Sequence, residues 1–172
     1  MTTANRITCL RILLIPVVLV LAYLGQTWWA LAAYVVACLT DMVDGYIARK
    51  YRQISNIGKF MDPLADKMLV LAVMVFFVEK GQMPGWVVAV VLLREFAVSG
   101  LRMIAVEHQR VIAAAWSGKI KTTVTMIGLG AMLVLGDNAV LRWIVIALIL
   151  ITTVYSGAEY FIKNKDVFRD EP

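Results

Sequence analysis

Cut at glycine, proline and clusters of charge, this sequence falls into six apolar segments, at about 8–25, 28–50, 58–80, 83–107, 117–136 and 138–163. Several approach the roughly 20 residues that a helix needs to cross the hydrocarbon layer of a bilayer. With 61% hydrophobic residues and a mean hydropathy of +0.78, the chain lies far outside soluble composition, where roughly 45–50% is apolar. The expected fold class is an all-α integral membrane protein, a six-transmembrane-helix bundle forming a single domain over 1–172. The first apolar segment is longer than the core of a secretory signal and leads through Trp28 and Trp29 into another apolar run. It reads as a retained helix. Cys9 and Cys38 lie in apolar surroundings and are expected as inert, reduced thiols.

An even number of spans puts both termini on one side, and Lys and Arg decide which side. With the amino terminus inside, fourteen of the seventeen basic residues fall at inner ends and loops. Only Lys80 and Arg142 fall outside, and Arg94 lies within a helix. Both termini are therefore expected at the cytoplasmic face. The net charge of +5 sits beside the apolar runs, which suits anionic headgroups and phosphate substrates; nucleic acid is not an expected partner.

Against this background the stretch DMVDGYIARKYRQISNIGKFMDPLAD stands out, because acids at membrane depth are costly and usually face a protein interior or wet cavity. Asp41 and Asp44 are three residues apart and Asp62 and Asp66 four apart, so each pair falls on one side of a helix. The basic turn between them is short enough to make the two helices antiparallel neighbours, and their acidic faces can then converge. Four carboxylates without His or Cys make an all-oxygen donor set, suited to Mg²⁺ or Mn²⁺ rather than zinc. Gly45, Ala48 and Gly58 leave bare backbone where a bulky ligand can approach, and Arg49 supplies a fork matched to phosphate. A structural alternative exists for Asp62, since Asp followed by Pro63 is a common helix start. An ion path lined by the aspartates is the plain alternative for the whole stretch.

Asp41, Asp44, Gly45, Ala48, Arg49, Gly58, Asp62 and Asp66 match every fixed position of D-x2-D-G-x2-A-R-x8-G-x3-D-x3-D. In this the chain resembles the CDP-alcohol phosphatidyltransferase family. The ion-path alternative has no use for the glycines, alanine and arginine held in the same register. The resemblance implies that Asp41, Asp44, Asp62 and Asp66 hold metal, two ions by the family pattern, and that Asp66 also serves as the general base. It implies a nucleotide site lined by Gly45, Ala48, Arg49 and Gly58, a CDP-linked lipid donor, and a homodimer. Asn5, Thr8 and Arg11 recur every three residues as a polar face on the first helix. Similar Asn and Thr positions open the family's first helix, which adds Asn5 and Thr8 to the nucleotide set. The family usually has proline before that Asn, where this chain has Ala4; an ordinary interfacial anchor is the alternative.

The acceptor must be read outside the signature. In LLREFAVSGLRMIAVEH, Glu95, Ser99 and Arg102 share a helix face, with Arg94 adjacent. An ion pair of Arg94 with Glu95 or with another helix is the structural alternative there, and a charge pair is the expected role of Lys67. Lys119 and Lys121 open the fifth helix in SGKIKTT, which lacks the glycine spacing and following Ser or Thr of a P-loop. His108 is expected to be solvated. Arg94, Arg102, Lys119 and Lys121 are more cations than an uncharged alcohol requires, so they form the expected binding set for an acceptor that carries phosphate. LREFAVSGLR and SGKIKTT are also similar to bacterial family members whose acceptor is glycerol 3-phosphate and whose donor is CDP-diacylglycerol. Phosphatidylglycerol, inositol phosphate and serine remain alternative acceptors. The resemblance places such an enzyme in the bacterial cytoplasmic membrane, with its active site at the cytoplasmic face.

Overall fold

The computed structural model describes residues 3–51, 56–107, 112 and 115–165, with side chains described for 9–40, 67–106, 112 and 115–165. These residues form six helices and no strand: α1 (Thr3–Tyr23), α2 (Thr27–Tyr51), α3 (Asn56–Glu79), α4 (Gly85–Glu107), α5 (Trp116–Leu135) and α6 (Ala139–Lys163). The apolar pattern anticipates most boundaries closely. It misplaces the start of α1, which begins at Thr3 and takes Asn5 and Thr8 into the helix. Among the described residues, α5 and α6 are long and apolar enough to cross a membrane, with mean hydropathies of 1.3 and 2.0. Shorter apolar stretches occupy Cys9–Tyr23 and Thr27–Thr40.

Helices α1 and α3 end alike. The Gln26 amide reaches back to the Leu21 carbonyl, and the Gln82 amide to the Phe77 carbonyl. Each closure needs a left-handed residue just before it, supplied by Gly25 (φ 73°) and Gly81 (φ 67°). Helix α6 starts on an Asn138 cap, whose side-chain oxygen accepts from the Val140 and Leu141 amides. Side chains then gather the three tight turns at one end of the bundle. The Tyr23 phenol donates to the Glu79 carboxylate, and the Gln82 amide reaches Asp137 at 3.4 Å. The helices consequently alternate in direction, so Thr3, Tyr51, Asn56, Glu107, Trp116 and Lys163 belong to the opposite end.

The two ends differ in character. Near the turns lies the apolar core, where Val18, Tyr34, Val73, Phe77, Val87, Leu129, Met132, Ile146 and Ile149 are buried. Helix α1 packs on α2 and α3, α5 on α6 and α2, and α4 on α6. Lipid provides little hydrophobic drive between helices, so close approach of small residues matters more. A Cβ on Gly128 would lie 2.7 Å from Val145 Cγ1, which shows how closely α5 and α6 approach. Gly130 sits against Leu31 and Tyr34 of α2, as expected of a packing glycine. Toward the opposite end the interior turns polar: Arg11 is fully buried, and Ser117, Lys121, Thr125, Thr153 and Ser156 are buried too.

The outside is apolar. Leu13, Leu93, Phe96, Met103, Ile127, Ile151 and Ile162 are all exposed, far more apolar surface than a water-facing bundle tolerates. Trp28, Trp29, Trp86 and Trp143 are exposed near the turn end, where their amphipathic rings suit a membrane–water boundary.

Candidate active site

The signature stretch occupies the last turns of α2 and the first turns of α3. Asp41, Asp44, Gly45, Ala48 and Arg49 are helical residues of α2, and Gly58, Asp62 and Asp66 of α3. Both carboxylate pairs therefore follow helical spacing along their own helix, as expected. Asp62 and Pro63 fall inside α3 rather than at its start, so helix capping does not account for Asp62. The side chains of 41–66 and of Asn5 and Thr8 lie outside the described residues. So does the expected convergence of the two acidic faces. Among the described residues no group of three or more His, Cys, Asp or Glu is placed to hold a metal ion.

A cavity of about 1210 Å³ between α2, α4 and α5 runs from the turn end of the bundle to the end that carries the signature. Its volume exceeds the roughly 300–1,000 Å³ of ordinary small-molecule sites. One end is apolar, walled by Trp28, Leu31, Val35, Val134 and Leu135. The other is polar and carries Lys67, Arg94, Glu95, Ser99, Arg102, Lys119 and Tyr160. Three of the four expected acceptor cations, Arg94, Arg102 and Lys119, thus line one cavity. Lys121 lines a small adjoining pocket with Lys67, Glu95, Thr122 and Thr125.

These cations are not equivalent. Glu95 sits at the centre of a network, 2.8 Å from Lys121 Nζ, 2.9 Å from Arg94 Nη1 and 3.6 Å from Lys67 Nζ. Lys67 also donates to Ser99 Oγ at 2.7 Å, and Arg94 Nη2 donates to Ser156 Oγ on α6. The ion-pair reading of Arg94 and the charge-pair reading of Lys67 both hold. Lys121 is buried against Glu95, so its charge is largely matched. By contrast, among the described residues Arg102 and Lys119 have no carboxylate partner. Arg102 Nη2 donates to the Tyr160 hydroxyl at 2.6 Å, and Lys119 Nζ lies 5.1 Å from the centre of the Trp116 ring. Among the described residues that line the two pockets, five cations stand with one carboxylate.

Sequence reasoning found the Glu95–Ser99–Arg102 face but missed Tyr160. A signal was present: Thr153, Ser156 and Tyr160 recur at helical spacing along an otherwise apolar α6, and all three are buried.

The sequence profile of the CDP-alcohol phosphatidyltransferase family matches residues 1–155. The chain belongs to this family. Three CDP-alcohol phosphatidyltransferases bear the name CDP-diacylglycerol–glycerol-3-phosphate 3-phosphatidyltransferase and resemble it over most of its length. The Bacillus subtilis protein is 36% identical, the alignment covering 96% of each chain. That of Rickettsia typhi is 32% identical over 95% of this chain and 97% of its own. That of Shigella flexneri serotype 5b is 36% identical over 86% and 85%. In this CDP-alcohol phosphatidyltransferase the similarity extends beyond the signature to α4 and α5, the helices that carry most of the cation cluster.

Proposed function

We propose that this chain is a phosphatidylglycerophosphate synthase, transferring the phosphatidyl group of CDP-diacylglycerol to sn-glycerol 3-phosphate with release of CMP. The observation that carries this reading is its similarity, over nearly its whole length, to proteins named for that reaction. The cavity supports it. Its apolar end suits acyl chains, and its cationic end suits an acceptor that bears phosphate.

The donor chemistry of the signature fits a hard divalent cation: four carboxylates on helical spacing, with no His or Cys among them. Asp41, Asp44, Asp62 and Asp66 would hold Mg²⁺ or Mn²⁺, two ions by the family pattern. Such ions, when bound, offset the charge of a diphosphate and its departing CMP. Asp66 takes the proton from the acceptor hydroxyl as its oxygen attacks the phosphorus bearing diacylglycerol. The bond from that phosphorus to the CMP oxygen breaks, and CMP leaves with the electron pair. By the family pattern Gly45, Ala48 and Gly58 leave room beside the nucleotide, Arg49 offers its fork to phosphate, and Asn5 and Thr8 belong to the same nucleotide set. Arg102 and Lys119 receive the acceptor phosphate, while Arg94 and Lys121 act on it through the field they share with Glu95.

The single domain 1–172 crosses the bacterial cytoplasmic membrane six times, with both termini and the active site at the cytoplasmic face, and works as a homodimer. The charge asymmetry supports this orientation. A comparison of acceptors tests the reading. Purified protein with CDP-diacylglycerol and Mg²⁺ or Mn²⁺ should release CMP fastest with glycerol 3-phosphate, and EDTA should stop the release until metal is restored. Faster release with phosphatidylglycerol, inositol phosphate or serine reassigns the chain to a sister transferase. No release with any acceptor, together with ion flux in liposomes, favours the ion path.

A further inference from the structure

Most of α6 presents aliphatic side chains to its surroundings, so a buried tyrosine near its last turn invites explanation. Tyr160 is 2% exposed and meets α4 and the start of α5 at the cationic end of the cavity. Its hydroxyl oxygen accepts from Arg102 Nη2 of α4 at 2.6 Å and from the Ala115 amide, just before α5, at 2.9 Å. Its ring centre lies 5.6 Å from the Arg94 guanidinium carbon and 5.4 Å from that of Arg102. The ring also closes against Gly118, where a Cβ would come within 3.5 Å of it.

Arg102 needs such a partner. It is exposed on α4, and a long side chain left to itself spreads over many rotamers. A carboxylate would fix it but cancel its charge; a phenol oxygen fixes it and leaves the charge intact. The contact uses one of the five guanidinium donors, so a fork remains for a second acceptor. The same oxygen secures the start of α5, whose Gly118 and Lys119 line the cavity. We propose that Tyr160 is a positioning residue for the acceptor: it holds the Arg102 guanidinium at the cavity's cationic end, and the site thereby selects phosphomonoester acceptors. This rests on the acceptor reading given above.

The test is steady-state CMP release by the full chain in detergent or nanodiscs, with glycerol 3-phosphate and CDP-diacylglycerol varied separately. Tyr160→Phe removes only the oxygen. It should raise KM for glycerol 3-phosphate about 10-fold, as expected for a lost charge-assisted hydrogen bond. Both kcat and KM for CDP-diacylglycerol should stay within about 2-fold, since the loss concerns acceptor binding alone. Arg102→Gln should raise the same KM at least as much, and the double variant should be no worse than Arg102→Gln alone, because the phenol acts through the arginine. An unchanged KM for glycerol 3-phosphate in Tyr160→Phe, equal losses for both substrates, or full additivity overturns the inference. Should Tyr160→Phe fail to accumulate, Arg102→Gln reads the contact from its other side, and an unchanged KM there overturns it too. Wild-type protein that releases no CMP with glycerol 3-phosphate instead defeats the acceptor reading itself, and that is seen before any variant is made.

Discussion

Removing the Glu95 carboxylate would leave Lys121, 4% exposed, without its ion-pair partner, and would also strip the nearest counter-charge from Arg94 and Lys67. Breaking one side of a buried pair costs about 3–5 kcal/mol, more than the pair contributes over an apolar replacement. Glu95→Ala should therefore lower the thermal midpoint of the purified protein sharply, and Glu95→Gln less, since its amide oxygen still accepts a hydrogen bond. Equal midpoints for wild type and Glu95→Ala would show that the network is not structural. At this scale the sequence was uneven as a guide. The aspartates declared themselves because acids on short helical spacings are rare in apolar chains and matched a fixed pattern. The division of labour among Arg94, Arg102, Lys119 and Lys121 did not, because it depends on partners far away in sequence. Arg94 is tied to Ser156 and Arg102 to Tyr160, both on α6, and no local pattern around either arginine announces them.

Between elements, α5 and α6 approach closely at Gly128. An added Cβ would meet Val145 Cγ1 at 2.7 Å, so one helix must shift or the valine must change rotamer. Gly128→Ala should cost about 1–3 kcal/mol by overpacking, and Val145→Ala in the same chain should recover part of it. A Gly128→Ala midpoint equal to wild type would mean that the interface yields freely. The six helices were legible because apolar runs and glycine breaks follow from backbone rules that act locally. Their partners were less so. The short turn between α2 and α3 suggested that these two helices are neighbours, whereas among the described residues each of them packs chiefly on α1, which could be read only from coordinates. The start of α1 was set too late because Asn5 and Arg6 look like a flank rather than a helix until the polar face is followed inward.

Taken whole, the molecule is a bundle with a dry half beside its three turns and a polar half at the other end, where the aspartate-bearing turns of α2 and α3 and the cations of α4 and α5 both belong. Charge bias predicts that the polar end faces the cytoplasm. Single cysteines in a Cys9→Ser, Cys38→Ala background check this. Asn164→Cys should react with an impermeant maleimide only when the inner face is opened, and Gln82→Cys should react in intact spheroplasts; the reverse pattern contradicts the orientation. The most direct test of the chemistry follows labelled glycerol 3-phosphate into lipid while counting CMP, in wild type and in Asp66→Asn. One label should enter phosphatidylglycerophosphate for each CMP released, and Asp66→Asn should slow both by about 10²–10⁴-fold, the range of a lost general base. CMP released without label in the lipid, or an Asp66→Asn protein as fast as wild type, would contradict it.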